Sequence, residues 1–161
     1  MLPREITTER LLLRVPVPED AQRIFASYAQ DMEVARYLTC RPSKKLADAE
    51  HHIPDRILAW RRCNICAWSI IETKRDLLIG MIELRVKDGV ADAGYVVTRS
   101  EWGKGYATEA LVAVIDAGLA LPGINGVAAV CDVENLASAR VMEKAGMVRD
   151  GVLERHIVHP N

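Results

Sequence analysis

No stretch of this 161-residue chain approaches the roughly 18 consecutive apolar residues that a membrane-spanning helix needs, and no apolar run near the N-terminus resembles a secretory signal. The expected location is therefore cytoplasmic, with no membrane partner. Charge of one sign is also missing: 21 Lys and Arg stand against 22 Asp and Glu, a formal net charge of −1. Such a balance gives no global pull toward nucleic acid. Cysteine is sparse, with only Cys40, Cys63, Cys66 and Cys131, as expected of reduced thiols in a cytosolic protein. The pair Cys63-x-x-Cys66 lacks the second pair, or the histidines at ligand spacing, that a zinc site requires. It also precedes a strand, whereas a redox dithiol opens a helix, so both thiols read as structural and no metal is expected. His51 and His52 are adjacent and point about 100° apart on a helix, a poor arrangement for two ligands to one ion. Repeats, low-complexity tracts and linkers are absent, and residues 1–161 are expected to form one domain with a real core.

What is present is a patterned succession of elements. Residues 8–15 read as a strand closed by Pro16 and Pro18, and Pro18-Glu19-Asp20 opens a helix with proline and acids in its first turn. Asp31 can cap a second short helix with Met32, Val34, Ala35 and Leu38 inward. Ser43 can cap a third, in which Leu46, Ala49, Ile53, Ile57 and Trp60 follow a helical period. Pro54 lies inside that third pattern, which predicts a kink or two short helices. The region 36–62 concentrates basic residues: Arg36, Arg41, Lys44, Lys45, Arg56, Arg61 and Arg62 outnumber Asp48, Glu50 and Asp55. It is either a solvated helix face or a contact face for an acidic partner or a phosphate.

Strand-like runs at 65–72, 77–86 and 91–98 are joined by short polar turns, so they must run antiparallel. A helix from Lys104 to about Leu121 follows, then a buried strand at 126–132 that is parallel to 91–98 because a helix crosses between them. Asn135 to Ala145 reads as a helix closed by Gly146, and 147–156 as a last strand. The fold class is α/β (α+β): antiparallel N-terminal strands, then a parallel pair, with helices on both faces.

The junction Trp102-Gly103-Lys104-Gly105-Tyr106-Ala107-Thr108 joins a strand to a helix N-terminus. The first amides of a helix have no intrahelical partner and carry the positive end of its dipole, and glycines let that backbone approach a diphosphate. A phosphate-bearing ligand is expected there. The turn is not a Walker loop, because Gly105 follows Lys104 where Ser or Thr belongs. Nor is it a dinucleotide fingerprint, since Thr108 replaces the third glycine and the preceding strand closes an antiparallel meander.

The residues Trp102-Gly103-Lys104-Gly105-Tyr106-Ala107, Asn135-Leu136-Ala137-Ser138, Lys144-Ala145-Gly146-Met147 and the opening Thr8-Glu9-Arg10-Leu11 together resemble the GCN5-related N-acetyltransferases, in the branch of the ribosomal-protein alanine and serine acetyltransferases. Trp102 stands where the wider family has Gln or Arg. The resemblance implies that strands 91–98 and 126–132 splay into a wedge for acetyl-CoA. The pantetheine arm would pair with backbone around Val97 and Thr98, and the pyrophosphate would sit on Trp102 to Thr108, with Lys104 adding charge. Asn135 and Ser138 would contact the cofactor from the far side, and no metal is needed.

By the same resemblance an uncharged amine, on a small molecule or a protein N-terminus, attacks the acetyl carbonyl. Many relatives protonate the leaving thiolate with a tyrosine in the helix after the wedge; the helix here has none, and Ser138 is the candidate. Glu83, Glu101, His156 or a water relay can serve as base. A non-catalytic acyl-CoA sensor is the competing reading, and monomer and homodimer both remain open. The family fold closes with one more strand past the region of His156, which is absent here, supplied by another subunit, or outside the sequence.

Overall fold

The computed structural model describes residues 1–62, 65–87, 89–154, 157 and 159–161. Among these residues six strands form one sheet in the order β1 to β6: β1 (Glu5–Thr7), β2 (Leu11–Arg14), β3 (Ile65–Glu72), β4 (Leu77–Lys87), β5 (Val90–Val97) and β6 (Gly126–Ala129). Neighbours are antiparallel through β5, and β5 with β6 is parallel. The meander and the parallel crossover agree with the sequence reading. The single strand expected at 8–15 does not: Thr8-Glu9-Arg10 is a turn between β1 and β2, and Leu11–Arg14 alone pairs with β3.

Helices cover both faces of the sheet. On one face α4 (Tyr106–Leu119) buries Ala110, Leu111 and Val114 against Leu11, Leu13, Trp68, Ile70, Ile82 and Leu84. On the other, α1 (Asp20–Ile24), a π turn (Phe25–Ala29), α2 (Met32–Ala35) and α3 (Leu46–Arg62) enclose Ile24, Tyr28, Val34, Ala49, Ile53, Ile71 and Leu78. Ile79 is an extra residue in β4, since Ile70 pairs with Gly80 and Ile71 with Leu78. The strands approach so closely there that a Cβ on Gly80 would lie 2.1 Å from the Val96 carbonyl oxygen.

Several local expectations resolve differently. Asp31 does cap α2, accepting from the Glu33 and Val34 amides, but Met32 is exposed. The third helix runs through Pro54 as one 17-residue element. Its first turn is capped by the Asp48 carboxylate, which accepts from the amides of Lys44 and Lys45, while the Ser43 amide donates to Ala29. Its buried side chains Ala49, Ile53 and Trp60 hold it on the sheet across the missing proline donor. Asn135 caps α5 (Leu136–Lys144) by accepting the Ser138 amide at 3.1 Å, and Gly146 ends it at φ +86°.

The last strand is not formed: among residues 147–154 none is extended in a ladder, and Val148, Val152 and Leu153 are exposed. Arg149-Asp150-Gly151 interrupts the apolar run, so no face is left to bury. The end of the chain instead reaches α2 and the loop after it, where Asn161 Nδ2 donates to the carbonyls of Ala35 and Cys40. Cys66 is buried in β3, while Cys63 and His156 lie outside the described residues. No helix among the described residues is long and apolar enough to cross a membrane.

Candidate active site

The register of β5 with β6 ends at Ala93 opposite Ala129, although β5 continues to Val97. Beyond Ala93, therefore, β5 has an edge with no strand partner among the described residues. Which groups face that edge follows from two bonds. The Thr98 amide donates across to Ile79 of β4 at 2.7 Å, while the Gly89 carbonyl accepts from Asn125 on the β6 side. Alternation along the strand then turns the backbone of Tyr95 and Val97 toward the splayed edge. The Val97 carbonyl is already taken by the Trp102 indole N–H at 2.7 Å. That leaves the Tyr95 N–H and C=O and the Val97 N–H pointing at the opening.

At the end of β5 the chain makes a short 3₁₀ turn (Arg99–Glu101) and then the glycine turn. Gly103 and Gly105 both lie in left-handed backbone, at φ +75° and +83°. Gly105 is the N-cap of α4, and no side chain among the described residues caps that helix. Its first amides are thus free of protein partners of the capping kind, as an anion site requires. Arg10 braces the turn from outside. Its Nη1 donates to the Lys104 carbonyl at 2.9 Å, and its guanidinium lies 4.6 Å from the centre of the Tyr106 ring. In a trans peptide the Gly105 N–H points opposite the Lys104 carbonyl, so it faces away from Arg10. Arg10 is held in turn by Glu109 of α4, whose carboxylate accepts from Arg10 Nε at 2.7 Å, the Arg10 amide at 2.9 Å and Thr8 Oγ1 at 2.6 Å. Burial pushes the Glu109 carboxyl up, but the Thr8 hydroxyl and the Arg10 amide and guanidinium outweigh it and hold it below its ordinary value.

The other expected residues fall into three groups. Lys104 folds back onto Glu101 at 2.9 Å. Glu101 is buried, and both its oxygens accept from Arg75 at 3.0 Å; Arg75 also bonds Glu72. Arg75 first, and Lys104 after burial has worked the other way, keep the Glu101 carboxyl down at about 2. Such a carboxylate anchors the turn and is a poor proton acceptor near neutrality.

The Thr98 hydroxyl points to the opposite face of the sheet, donating to the Ser27 carbonyl at 2.8 Å. It borders a cleft of about 410 Å³ lined by Arg23, Ser27, Leu78 and Ser100. Glu83 lies on the α3 face, 2.9 Å from Arg56 and 3.1 Å from Arg85. It is opposite Gly94 in the β4–β5 register, and a Cβ on Gly94 would lie only 4.0 Å from Glu83 Oε1. Ser138, in the first turn of α5, hydrogen-bonds the Tyr95 hydroxyl at 2.7 Å.

Arg10, Arg75, Tyr95 and Glu109 carry no role in the sequence reading. Thr8 and Arg10 belong to a segment that marks the family resemblance and Glu109 follows the glycine motif by two residues, but only the folded chain brings them together. Among the described residues no group of three or more His, Cys, Asp or Glu side chains could hold a metal.

An acid titration separates anchor from base. The Glu101 carboxyl is expected to titrate near 2 by NMR, against an ordinary value of 4.5. Because the folded value is the lower one, its contribution to stability is complete above pH 4.5 and is lost as pH falls toward 2. Arg75→Ala is expected to move the midpoint back toward the ordinary value; a midpoint that stays low in that variant contradicts the assignment to Arg75.

Comparison with known proteins agrees with this geometry. Residues 10–148 match the model of the acetyltransferase (GNAT) domain. The chain is 30% identical over 155 residues to the uncharacterized N-acetyltransferase YoaA of Bacillus subtilis, covering 94% of this chain and 87% of that protein. Among solved structures, the microcin C7 self-immunity acetyltransferase MccE, in complex with acetyl-CoA and AMP, superimposes with a TM-score of 0.88 at 18% identity, covering 98% of this chain and 90% of that one. The apo structure of RimL, the ribosomal L7/L12 α-N-protein acetyltransferase, does so with a TM-score of 0.85 at 16% identity, covering 99% and 88%. These last two likenesses show the fold, and they include the branch that the sequence motifs resemble. A wedge between parallel strands, a glycine turn at an uncapped helix and the family match converge: the chain belongs to the GNAT acetyltransferase family.

Proposed function

We propose that this chain, as one domain over residues 1–161, transfers the acetyl group of acetyl-CoA to a primary amine, on a small molecule or a protein N-terminus. One observation carries the reading: the open edge of β5 leads, through one 3₁₀ turn, to the left-handed glycine turn, an order that suits an extended amide-bearing arm ending in a diphosphate. Acetyl-CoA supplies an activated thioester, so no metal is required for the chemistry. The residues present fit it. Tyr95 and Val97 offer strand-like backbone partners to the pantetheine amides, and Gly103, Gly105, Tyr106, Ala107 and Thr108 offer the turn for the pyrophosphate. Trp102, by holding the Val97 carbonyl, keeps the end of that edge in register. The MccE complex with acetyl-CoA supports the same choice of cofactor.

The Val97 N–H is the donor we assign to the acetyl carbonyl oxygen, where negative charge develops. Ser138 donates toward the sulfur, and Asn135, while capping α5, keeps its amide N–H groups for the arm. Glu83 takes a proton from the acceptor ammonium, directly or through water, to free the amine that attacks, because it lies beside Gly94 one strand from the open edge. Arg56 and Arg85 hold its carboxylate in place. Lys104 contributes through its backbone amide, its side chain being engaged by Glu101, whereas Thr98, expected to pair with the arm, has its amide on Ile79, its carbonyl on the Glu101 amide and its hydroxyl on Ser27, and only ends the strand beside it. The acceptor enters from the α3 face, where Arg56 leaves the basic 36–62 region within reach of an acidic acceptor.

The test is release of free thiol from acetyl-CoA over a panel of amino acids, polyamines, aminoglycosides and N-terminal peptides. Amine-dependent release with an acetylated product in the mass spectrum is expected. Saturable cofactor binding with no release on any amine or peptide favours a sensor and overturns the reading.

A further inference from the structure

The hydroxyl of Tyr95 crosses the mouth of the wedge. Ala93 and Ala129 are the last paired residues, so Tyr95 lies two residues further along β5, where the strands part. From β5, Tyr95 reaches the first turn of α5, with its oxygen 2.7 Å from Ser138 Oγ and 3.1 Å from the Ser138 carbonyl. Two hydroxyls therefore share two protons, and the direction of the bond between them decides which proton is left over.

A phenol has one proton. If Tyr95 gives it to the Ser138 carbonyl, the serine must donate to Tyr95 in the 2.7 Å contact, and no serine proton remains for the wedge. That carbonyl, in the first turn of α5, is already an acceptor in the helix ladder and has little need of a second donor. If Tyr95 donates to Ser138 Oγ, the serine proton is free for a sulfur. The lengths favour this direction, since the phenol oxygen lies 2.7 Å from Ser138 Oγ and 3.1 Å from the Ser138 carbonyl. Burial, above all, pushes the Tyr95 phenol up to about 12, with Ser138 opposing, so it stays a proton donor throughout the working range of pH.

We propose that Tyr95 is a positioning residue that acts through Ser138: by donating to Ser138 Oγ it aims the serine proton at the sulfur of the bound cofactor. The proposal rests on the acetyl-transfer reading above. In that reaction the amine nitrogen forms a bond to the acetyl carbon and the carbon–sulfur bond breaks with its electron pair going to sulfur. The amine loses one proton and the sulfur gains one. Ser138 donates to the sulfur as charge builds there, and Tyr95 strengthens that donor through a chained hydrogen bond.

Five proteins test it: wild type, Tyr95→Phe, Ser138→Ala, Ser138→Thr and the Tyr95→Phe, Ser138→Ala double variant. Three quantities are read in each: the thiol pKa of bound coenzyme A from its ultraviolet thiolate absorbance, kcat against KM, and the thermal midpoint. Tyr95→Phe removes one oxygen and leaves the ring in place. It is expected to raise the bound thiol pKa by roughly half a unit to one unit and to lower kcat about tenfold, with KM for acetyl-CoA nearly unchanged. Ser138→Ala is expected to cost about 100-fold in kcat, Ser138→Thr to restore much of it, and the double variant to be no worse than Ser138→Ala. An unchanged thiol pKa in Tyr95→Phe, or an effect of Tyr95→Phe that persists in full when Ser138 is alanine, overturns the inference while leaving acetyl transfer intact. A wild-type protein that binds no coenzyme A overturns the transfer reading and this inference with it.

Discussion

Gly105→Glu is expected to weaken acetyl-CoA binding by at least about 100-fold, measured by isothermal titration, while the protein still folds. Two effects combine. Gly105 sits at φ +83°, where a residue with a Cβ pays roughly 1–2 kcal/mol. The new carboxylate is then fixed at the N-terminus of α4, where the pyrophosphate would lie, and like charges about 4 Å apart near a protein surface repel by about 4 kcal/mol. The Cβ itself has room, its nearest neighbour being Arg10 Nη2 at 3.4 Å, so the fold has no steric reason to fail. Gly105→Ala supplies the strain without the charge and should lose far less affinity. Equal losses in the two variants would assign the effect to backbone distortion, and unchanged affinity in Gly105→Glu would mean that the anion binds elsewhere.

The largest loss of stability is expected at Asp20, which has no contact with the proposed cofactor site. Arg14 and Ser69 are directly opposite in the β2–β3 register, so their side chains share a face, and Asp20 lies over both. The fully buried carboxylate accepts from Arg14 Nη1 and Nη2 at 2.7 Å each, from Ser69 Oγ at 2.7 Å and from the Val17 amide at 3.1 Å. It ties the start of α1 to two strands. Asp20→Ala leaves a guanidinium and a buried hydroxyl without their acceptor, which costs about 3–5 kcal/mol. Denaturant unfolding measures it; a loss below about 1 kcal/mol would contradict the buried-pair account.

The acid limb carries a sign. Burial pushes the Asp20 carboxyl up, but Arg14, Ser69 and the Val17 amide outweigh it, and the folded value lies below the ordinary one. The gap between wild type and Asp20→Ala is then full above about pH 4 and closes as the pH falls below it.

How much of this was legible in the chain itself depends on the range of each interaction. Turn residues and alternation, read over a few positions, were enough for the β3–β4–β5 meander. A helix crossing between two apolar runs made β6 parallel to β5. Gly103 and Gly105 announced the turn, and Gly146 the end of α5, because left-handed backbone is a local demand. The errors came where tertiary packing overrode a local signal. The turn at Thr8-Glu9-Arg10 exists because Thr8 and Arg10 grip Glu109, Arg10 across 99 positions of sequence. Pro54 is tolerated because α3 is buried on the sheet at Ala49, Ile53 and Trp60. The apolar residues 147–154 looked like a strand by composition, yet a strand also needs a partner edge and a face to bury.

The chemistry was legible in part. Ser138 was singled out, but not the tyrosine bonded to it from a strand 43 positions earlier. Glu101 was named as a possible base from its place beside the turn; its bonds to Arg75, 26 positions earlier, give it a different job. Carboxylates in a sequence declare their type and never their partners.

The most direct test of the wedge is residue-resolved amide hydrogen exchange with and without acetyl-CoA. The account predicts protection of the amides of Tyr95 and Val97 on the open edge of β5 and of Gly103, Gly105, Tyr106 and Ala107 at the turn. Protection confined to the cleft around Ser27, Leu78 and Ser100, with the edge and the turn exchanging as before, would contradict it.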